Sequence, residues 1–223
     1  MPRTPKAGTR SPLSRDRVVA AAIAIADHDG LDALSMRKLA QALGVEAMSL
    51  YHHVANKDAL LDGMVDAVFA EIELPPTDIA WRPALRRRTS SVREAMLRHP
   101  WAIGRLDSRR SPGPATLRHH DAVLGCLRVG GFSVADAALA FATVDAFVYG
   151  FTMQELSLPF SPGEELAEVA AEMMAGMADV YPHLAEMVTE RALQPGYDFA
   201  DEFEPGLDLV LDSIERLHGG LDE

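Results

Sequence analysis

Two histidines stand side by side at positions 52 and 53, in the stretch ALGVEAMSLYHHVANKDALL (residues 42–61), with Ser49 and Tyr51 just before them. Imidazoles, a hydroxyl and a phenol within five positions can ligate a metal, relay a proton or hydrogen-bond to another polymer. Adjacent residues on a helix point about 100° apart, whereas chelation from one face needs a spacing of three or four. His119, His120 and Asp121 share that defect and read as solvated or as pocket wall, so no metal site is assigned. Catalysis finds no better support. The chain has no nucleophile elbow, no phosphate-cradling glycine loop and no HExxH. Cys126, on an apolar helix, reads as an inert core residue. With no catalytic residue and no cofactor assigned, a surface that reads another polymer is the reading left for residues 47–53.

Such a surface needs a short helix held by its neighbours. Apolar residues recur at spacings of three and four with no hairpin signal, so the fold class is all-α. Ser14 can cap a first helix with Val18, Ala22 and Ile25 on its face, ending near Gly30. Ser35 can cap a second, with Leu39, Ala40 and Leu43. Gly44 breaks the chain, and a third helix is expected from about Glu46 to His53. Asn56 can cap a fourth helix with Leu60, Leu61, Met64, Val65, Val68 and Phe69 on one stripe. "ELPPTD" at 73–78 is a break. Roughly six further helices follow, interrupted at 108–114, 158–163 and 193–198. Ser133 with Asp136 forms a capping-box pair ahead of a helix carrying Phe141, Val144, Val148 and Phe151. The last helix carries Phe203, Leu207, Val210, Leu211, Ile214 and Leu217. These two stripes read either as core or as part of an intermolecular four-helix bundle.

Nearly half of the 223 residues are apolar, enough for a sizeable core. The apolar stretches carry charges throughout, so no membrane span is expected. The first fifteen residues are basic and rich in Ser, Thr and Pro without an apolar segment, which suggests a flexible arm over 1–13 rather than a secretory signal. A single cysteine cannot form an internal disulfide, and the cytoplasm is the expected compartment. The net charge of −12 is uneven: residues 1–60 hold eight Lys/Arg against six Asp/Glu, and residues 61–223 hold thirteen against twenty-seven. A small nucleic-acid module at 14–60 on an acidic body at 61–223 would show that split.

Helix, tight turn at Gly44 and short helix over 35–53 is helix-turn-helix spacing, whose second helix lies in the DNA major groove with its first residues at base edges. Leu39, Ala40, Leu43, Val45 and Leu50 would hold the unit together. Ala47, Met48, Ser49, Tyr51, His52 and His53 would then face outwards or flank the contact. Small residues at 47 and 49 let the backbone approach the groove floor. Ser49, Tyr51 and His53 can hydrogen-bond to bases or phosphates, and Met48 can touch a thymine methyl.

The segments "LSMRKLAQALGV" and "SLYHHVANKDALL", within residues 13–66, resemble the DNA-binding domain of the tetracycline-repressor family of bacterial transcription regulators. A weaker resemblance runs through "HPW", "GGFS" and "YGFTMQE" to the ligand-binding domain of the tetracycline repressors. The resemblance of the head implies that Arg37, Ala47, Met48, Ser49, Tyr51, His52 and His53 contact DNA and that Lys57 binds phosphate. A helix N-terminus at Lys57 suits an anion. Placing residues from Trp81 onward on the family pattern puts Arg88, Val92, Leu106, Phe147, Phe151 and Gln154 near an effector pocket. Leu106 stands nearest the position of the family's metal-binding histidine, so an apolar effector is expected to bind without magnesium. Met173, Met174 and Met177 read as core filler.

The resemblance therefore implies a homodimeric repressor, not an enzyme, that binds double-stranded DNA at a palindromic operator and is released by a small molecule. The alternatives are a regulator that is not ligand-gated, one that activates, or an α-helical small-molecule enzyme or carrier in which the head is idle.

Overall fold

The computed structural model describes residues 12–105, 112–158 and 179–219; Leu106 and the methionines at 173, 174 and 177 lie outside them. The described residues are helical, with no β-strand among them. They form two compact units. One takes residues up to Ile72 together with Arg98–His119; the other takes Glu73–Leu97 together with residues from His120 onward. The sequence boundary after residue 60 therefore falls inside a helix of the first unit.

The first unit starts with α1 (Arg15–Asp29), α2 (Met36–Leu43), α3 (Ala47–Leu50) and α4 (Lys57–Glu71). Three of these begin where the sequence offers a capping oxygen. Ser14 accepts from the Arg17 N–H, Ser35 from the Lys38 N–H and Asn56 from the Ala59 N–H. Helix α2 ends at Gly44, which takes the left-handed conformation (φ 66°, ψ 40°). There the Gly44 N–H donates to the Gln41 carbonyl and the Val45 N–H to the Ala40 carbonyl. This pair of bonds closes a helix end and needs a residue at ease with positive φ. Val18, Ala22, Leu39, Leu50, Leu60 and Met64 meet in one apolar cluster. The stretch Arg98–Arg105 is tied to the same unit. His99 lies between Asp27 of α1 (2.9 Å) and Glu71 of α4 (3.2 Å), and the Trp101 indole N–H donates to Asp27 (2.6 Å).

The second unit is built on α5 (Trp81–Arg98), α6 (Pro114–Val129), α7 (Val134–Ser157), α8 (Pro182–Met187) and α9 (Phe203–Gly219). Two of these helices also reach the first unit: Arg98 ends α5, and the first six residues of α6 belong to it. Ser133 caps α7 by accepting from the Asp136 N–H. Phe203, Leu207, Leu211 and Ile214 of α9 are buried, as are Val144 and Val148 of α7, and the two helices pack on each other. Much of both stripes is thus core within one chain. Arg82 of α5 donates to Asp212 (2.5 Å) and Glu215 (2.9 Å) of α9, and Arg86 to Glu204 (2.5 Å) and Asp208.

Helix α7 is, among the described residues, long and apolar enough to cross a membrane, although the sequence reading expected no such stretch. Its charged side chains are engaged inside the unit: Asp145 with Arg88 of α5, and Glu155 with Arg93 of α5. Helix α7 packs on α9, and 22% of its apolar window is buried within the chain.

Candidate functional site

Leu50 fixes the presentation of α3. Its side chain is fully buried, so its helical neighbours are turned outwards. Met48 is 73% exposed and Tyr51 44% exposed. His52, Arg37 and Lys57 are exposed, while Ala47, Ser49 and His53 are half-buried. None of the eight residues is in the core.

Helix α3 is shorter than the sequence reading placed it. It ends at Leu50, and residues 51–53 continue as turns in which Tyr51 N–H donates to Met48, His53 N–H to Leu50 and Val54 N–H to Leu50. A tyrosine and two histidines lower helix propensity there, and buried Val54 redirects the chain toward the Asn56 cap. The consequence is a hydrogen-bonded turn carrying three polar rings after a one-turn helix. Lys57 opens α4 beside that turn. Asp29 pairs with Lys38 of α2 at 2.8 Å. The Lys38 and His28 side chains hold the Asp29 carboxyl below the usual carboxylate range.

The proposed pocket residues of the second unit are placed less uniformly. Arg88 is fully buried; it donates to Asp145 at 2.5 Å and lies over the Phe141 ring. Val92, one turn on, is also fully buried. Phe147 and Phe151 are half-buried and join Phe199 and Phe203 in one aromatic cluster. The Arg93 guanidinium sits 4.7 Å from the Phe203 ring centroid and pairs with Glu155. Gln154 is exposed. The structure thus brings Phe147 and Phe151 together and sets Gln154 on the surface.

Sequence reasoning missed the arginine–carboxylate partners. A signal was present: Asp145 is the one charge in an otherwise uncharged run from Ala137 to Gln154, and such a carboxylate needs a buried cation. It also missed a cavity of about 550 Å³ between the 75–80 segment with Trp81 and the Asp121–Val129 face of α6 with Gly130. Cys126, expected in the core, is half-buried on that wall, where burial pushes its thiol pKa up. His119 is fully buried against the Phe69 ring, while Asp121 is the exposed member of the His-His-Asp run. Among the described residues no group of three His, Cys, Asp or Glu side chains could hold a metal ion.

Comparison with known proteins gives the geometry its setting. Residues 18–64 match the family described as bacterial regulatory proteins, tetR family, and residues 74–217 match the tetracyclin repressor-like C-terminal domain. An HTH-type transcriptional regulator of Saccharopolyspora erythraea is 36% identical over 79% of this chain and 75% of its own length. The HTH-type transcriptional repressor DrrR1 of Streptomyces coeruleorubidus is 32% identical, over 96% and 82%. Among solved structures, Streptomyces coelicolor ActR in complex with actinorhodin superposes with a TM-score of 0.77 at 30% identity, covering 94% of this chain and 100% of that one. With both halves matched, the chain belongs to the tetR family of DNA-binding transcriptional regulators.

Proposed function

We propose that this protein is a repressor that binds a palindromic operator as a homodimer in the cytoplasm and leaves it when a small apolar molecule occupies the second unit. The observation that carries the reading is the outward face of α3: exposed Met48 and Tyr51 on either side of the buried anchor Leu50. Arg37, Ala47, Met48, Ser49, Tyr51, His52 and His53 contact the DNA, with Lys57 on a phosphate. With few hydrogen-bonding groups at 47 and 48, part of the specificity comes from DNA shape. Two-fold pairing is supported by α9, where Leu209 is 70% exposed on the side away from buried Leu207 and Leu211. Two heads then meet half-sites about 34–36 Å apart.

For the effector, the half-buried rings of Phe147 and Phe151, with Arg88 and Val92 on the neighbouring helix and Gln154 at the exposed end, favour an aromatic or apolar compound. The family relative crystallised with actinorhodin supports a ligand in this type of domain. A second location is favoured by one observation, the cavity of about 550 Å³ beside Cys126, a volume in the range of small-molecule pockets. Compounds found by thermal shift separate the two. If the first location holds, Phe151→Ala abolishes the shift; if the second holds, Ala122→Trp does.

Selection of duplexes from random DNA tests the core of the proposal. A palindromic site bound in the nanomolar range, with steep salt dependence, is expected. Tyr51→Ala weakens that site by about 1–3 kcal/mol, while Lys57→Ala weakens all sequences alike. Failure to prefer any selected duplex over random DNA refutes it. A 24.2 kDa species in sedimentation equilibrium at micromolar concentration refutes the dimer.

A further inference from the structure

The cavity of about 550 Å³ lies wholly within the second unit. Its wall on α6 is one face of that helix. Ala122, Gly125, Cys126 and Val129 line it, at offsets of three, four and seven, while buried Val123 and Leu127 turn to another side. Opposite stand Pro75, Pro76 and the Trp81 ring at the start of α5. Arg88, Val92, Phe147, Phe151 and Gln154 line none of it.

Two glycines make the space. Gly125 sits inside α6, where glycine weakens a helix more than any residue but proline. A Cβ there would meet nothing within 4 Å, so packing does not call for glycine, and its effect is to leave room. At Gly130 a Cβ would come within 2.9 Å of the Trp81 ring, so this glycine lets the indole lie against the end of α6. The indole is steadied by Phe132, T-shaped to it at 5.0 Å, and Phe132 stacks on His218 of α9 at 4.4 Å. The two prolines hold their own φ. These walls stand ready for a ligand without rearrangement, as small-molecule sites usually do.

The lining also sets the sign of the charge. Asp121, exposed at the rim, is the one charged residue in it, and no Lys, Arg or His lines the cavity. Burial pushes the Cys126 thiol pKa up, so it stays neutral. The surrounding chain from residue 61 onward carries thirteen Lys/Arg against twenty-seven Asp/Glu, a field that draws cations and repels anions. An indole face is the best aromatic partner for a cation, and a carboxylate accepts strong hydrogen bonds from an ammonium group. We infer that this cavity is a binding site for a planar aromatic cation, its rings beside the Trp81 indole and its charged nitrogen at Asp121. The inference goes beyond the function proposed above: it concerns binding alone and holds whether or not the occupant releases an operator.

The test is isothermal titration of the full chain, without DNA, with 9-aminoacridine, a planar cation, and with 9-anthracenecarboxylate, a planar anion of the same three-ring size. The cation is expected to bind about tenfold more tightly than the anion, since one carboxylate attracts the first and repels the second. Asp121→Asn should bring the two ligands within about threefold of each other by weakening the cation. Gly125→Leu, whose side chain enters the open space, should weaken 9-aminoacridine at least tenfold, while Gly125→Ala and Phe151→Ala keep it within about threefold of wild type. Circular dichroism equal to wild type shows that the variants fold, and Asp121→Asn, at an exposed position, decides the matter should Gly125→Leu not. No binding of 9-aminoacridine overturns the inference, as does equal affinity for the anion, an undiminished affinity in Gly125→Leu or a loss in Phe151→Ala as large as that in Gly125→Leu. Selection that recovers no duplex overturns the proposed function and leaves these titrations as they are.

Discussion

In the first unit, Val18, Leu39, Leu50 and Leu60 meet in an apolar cluster, and the helices around it are capped by their own leading residues. In the second unit, four arginines of α5 reach across to acids on other helices: Arg82 and Arg86 to α9, Arg88 and Arg93 to α7. The difference follows the tasks. A surface that reads bases needs one rigid arrangement, which close apolar packing enforces. A unit that answers to a ligand gains from contacts with alternatives, and Asp208 already serves both Arg82 and Arg86. The partners in the second unit are 57 to 133 residues apart in the chain, so that unit pays more loop-closure entropy and should form later.

Four measurements sharpen or break this contrast. The largest effect is expected from Asp145→Ala, which takes the carboxylate from a fully buried guanidinium and should destabilise the second unit by about 3–5 kcal/mol. Exchange protection should collapse in α7 while α1 keeps its own; equal loss in both would remove the distinction. Leu50→Ala, at a site with no exposure, should cost the head about 2–5 kcal/mol and abolish operator binding. Urea unfolding followed at Trp81, in the second unit, should move far less than circular dichroism of the whole chain.

Ser35→Ala removes the acceptor for the Lys38 N–H and should cost about 1 kcal/mol, with Ser35→Gly recovering most of it. The smallest effect concerns Asp29. Lys38 and then His28 hold its folded pKa below the ordinary aspartate value. Its contribution is therefore complete above about pH 4 and lost as the pH falls through the lower, folded value. Asp29→Asn should differ slightly from wild type at pH 6 and match it in strong acid. A difference that persists in acid would show that the carboxylate charge is not the cause.

What the sequence disclosed follows the same division. The capping residues Ser14, Ser35, Asn56 and Ser133 were legible because a cap acts over two or three positions. Gly44 was legible because a left-handed turn needs it. Residues 47–53 were found as a surface because Leu50 alone in that run has the spacing of a core residue. The early end of α3 was not, since it depends on where buried Val54 takes the chain. Nor were Arg82, Arg86 and Arg88 legible as α5's links: charge pairs carry no periodicity that names their partner. The head residues within 47–53 were placed by resemblance as well as by spacing, Arg37 and Lys57 by resemblance. The pocket residues were placed by resemblance alone.

Helix α6 also sets a rule for how chains of this build can change in length. One residue inserted between His119 and His120 would turn everything beyond it by about 100° and advance it by about 1.5 Å. Val123 and Leu127, now fully buried, would be carried out of their present angle to residues 114–119. Even a four-residue insertion, which nearly restores the angle, would displace the far half by more than a turn. Substitutions along α6 can therefore accumulate singly, but its count of residues is a register shared by everything on either side.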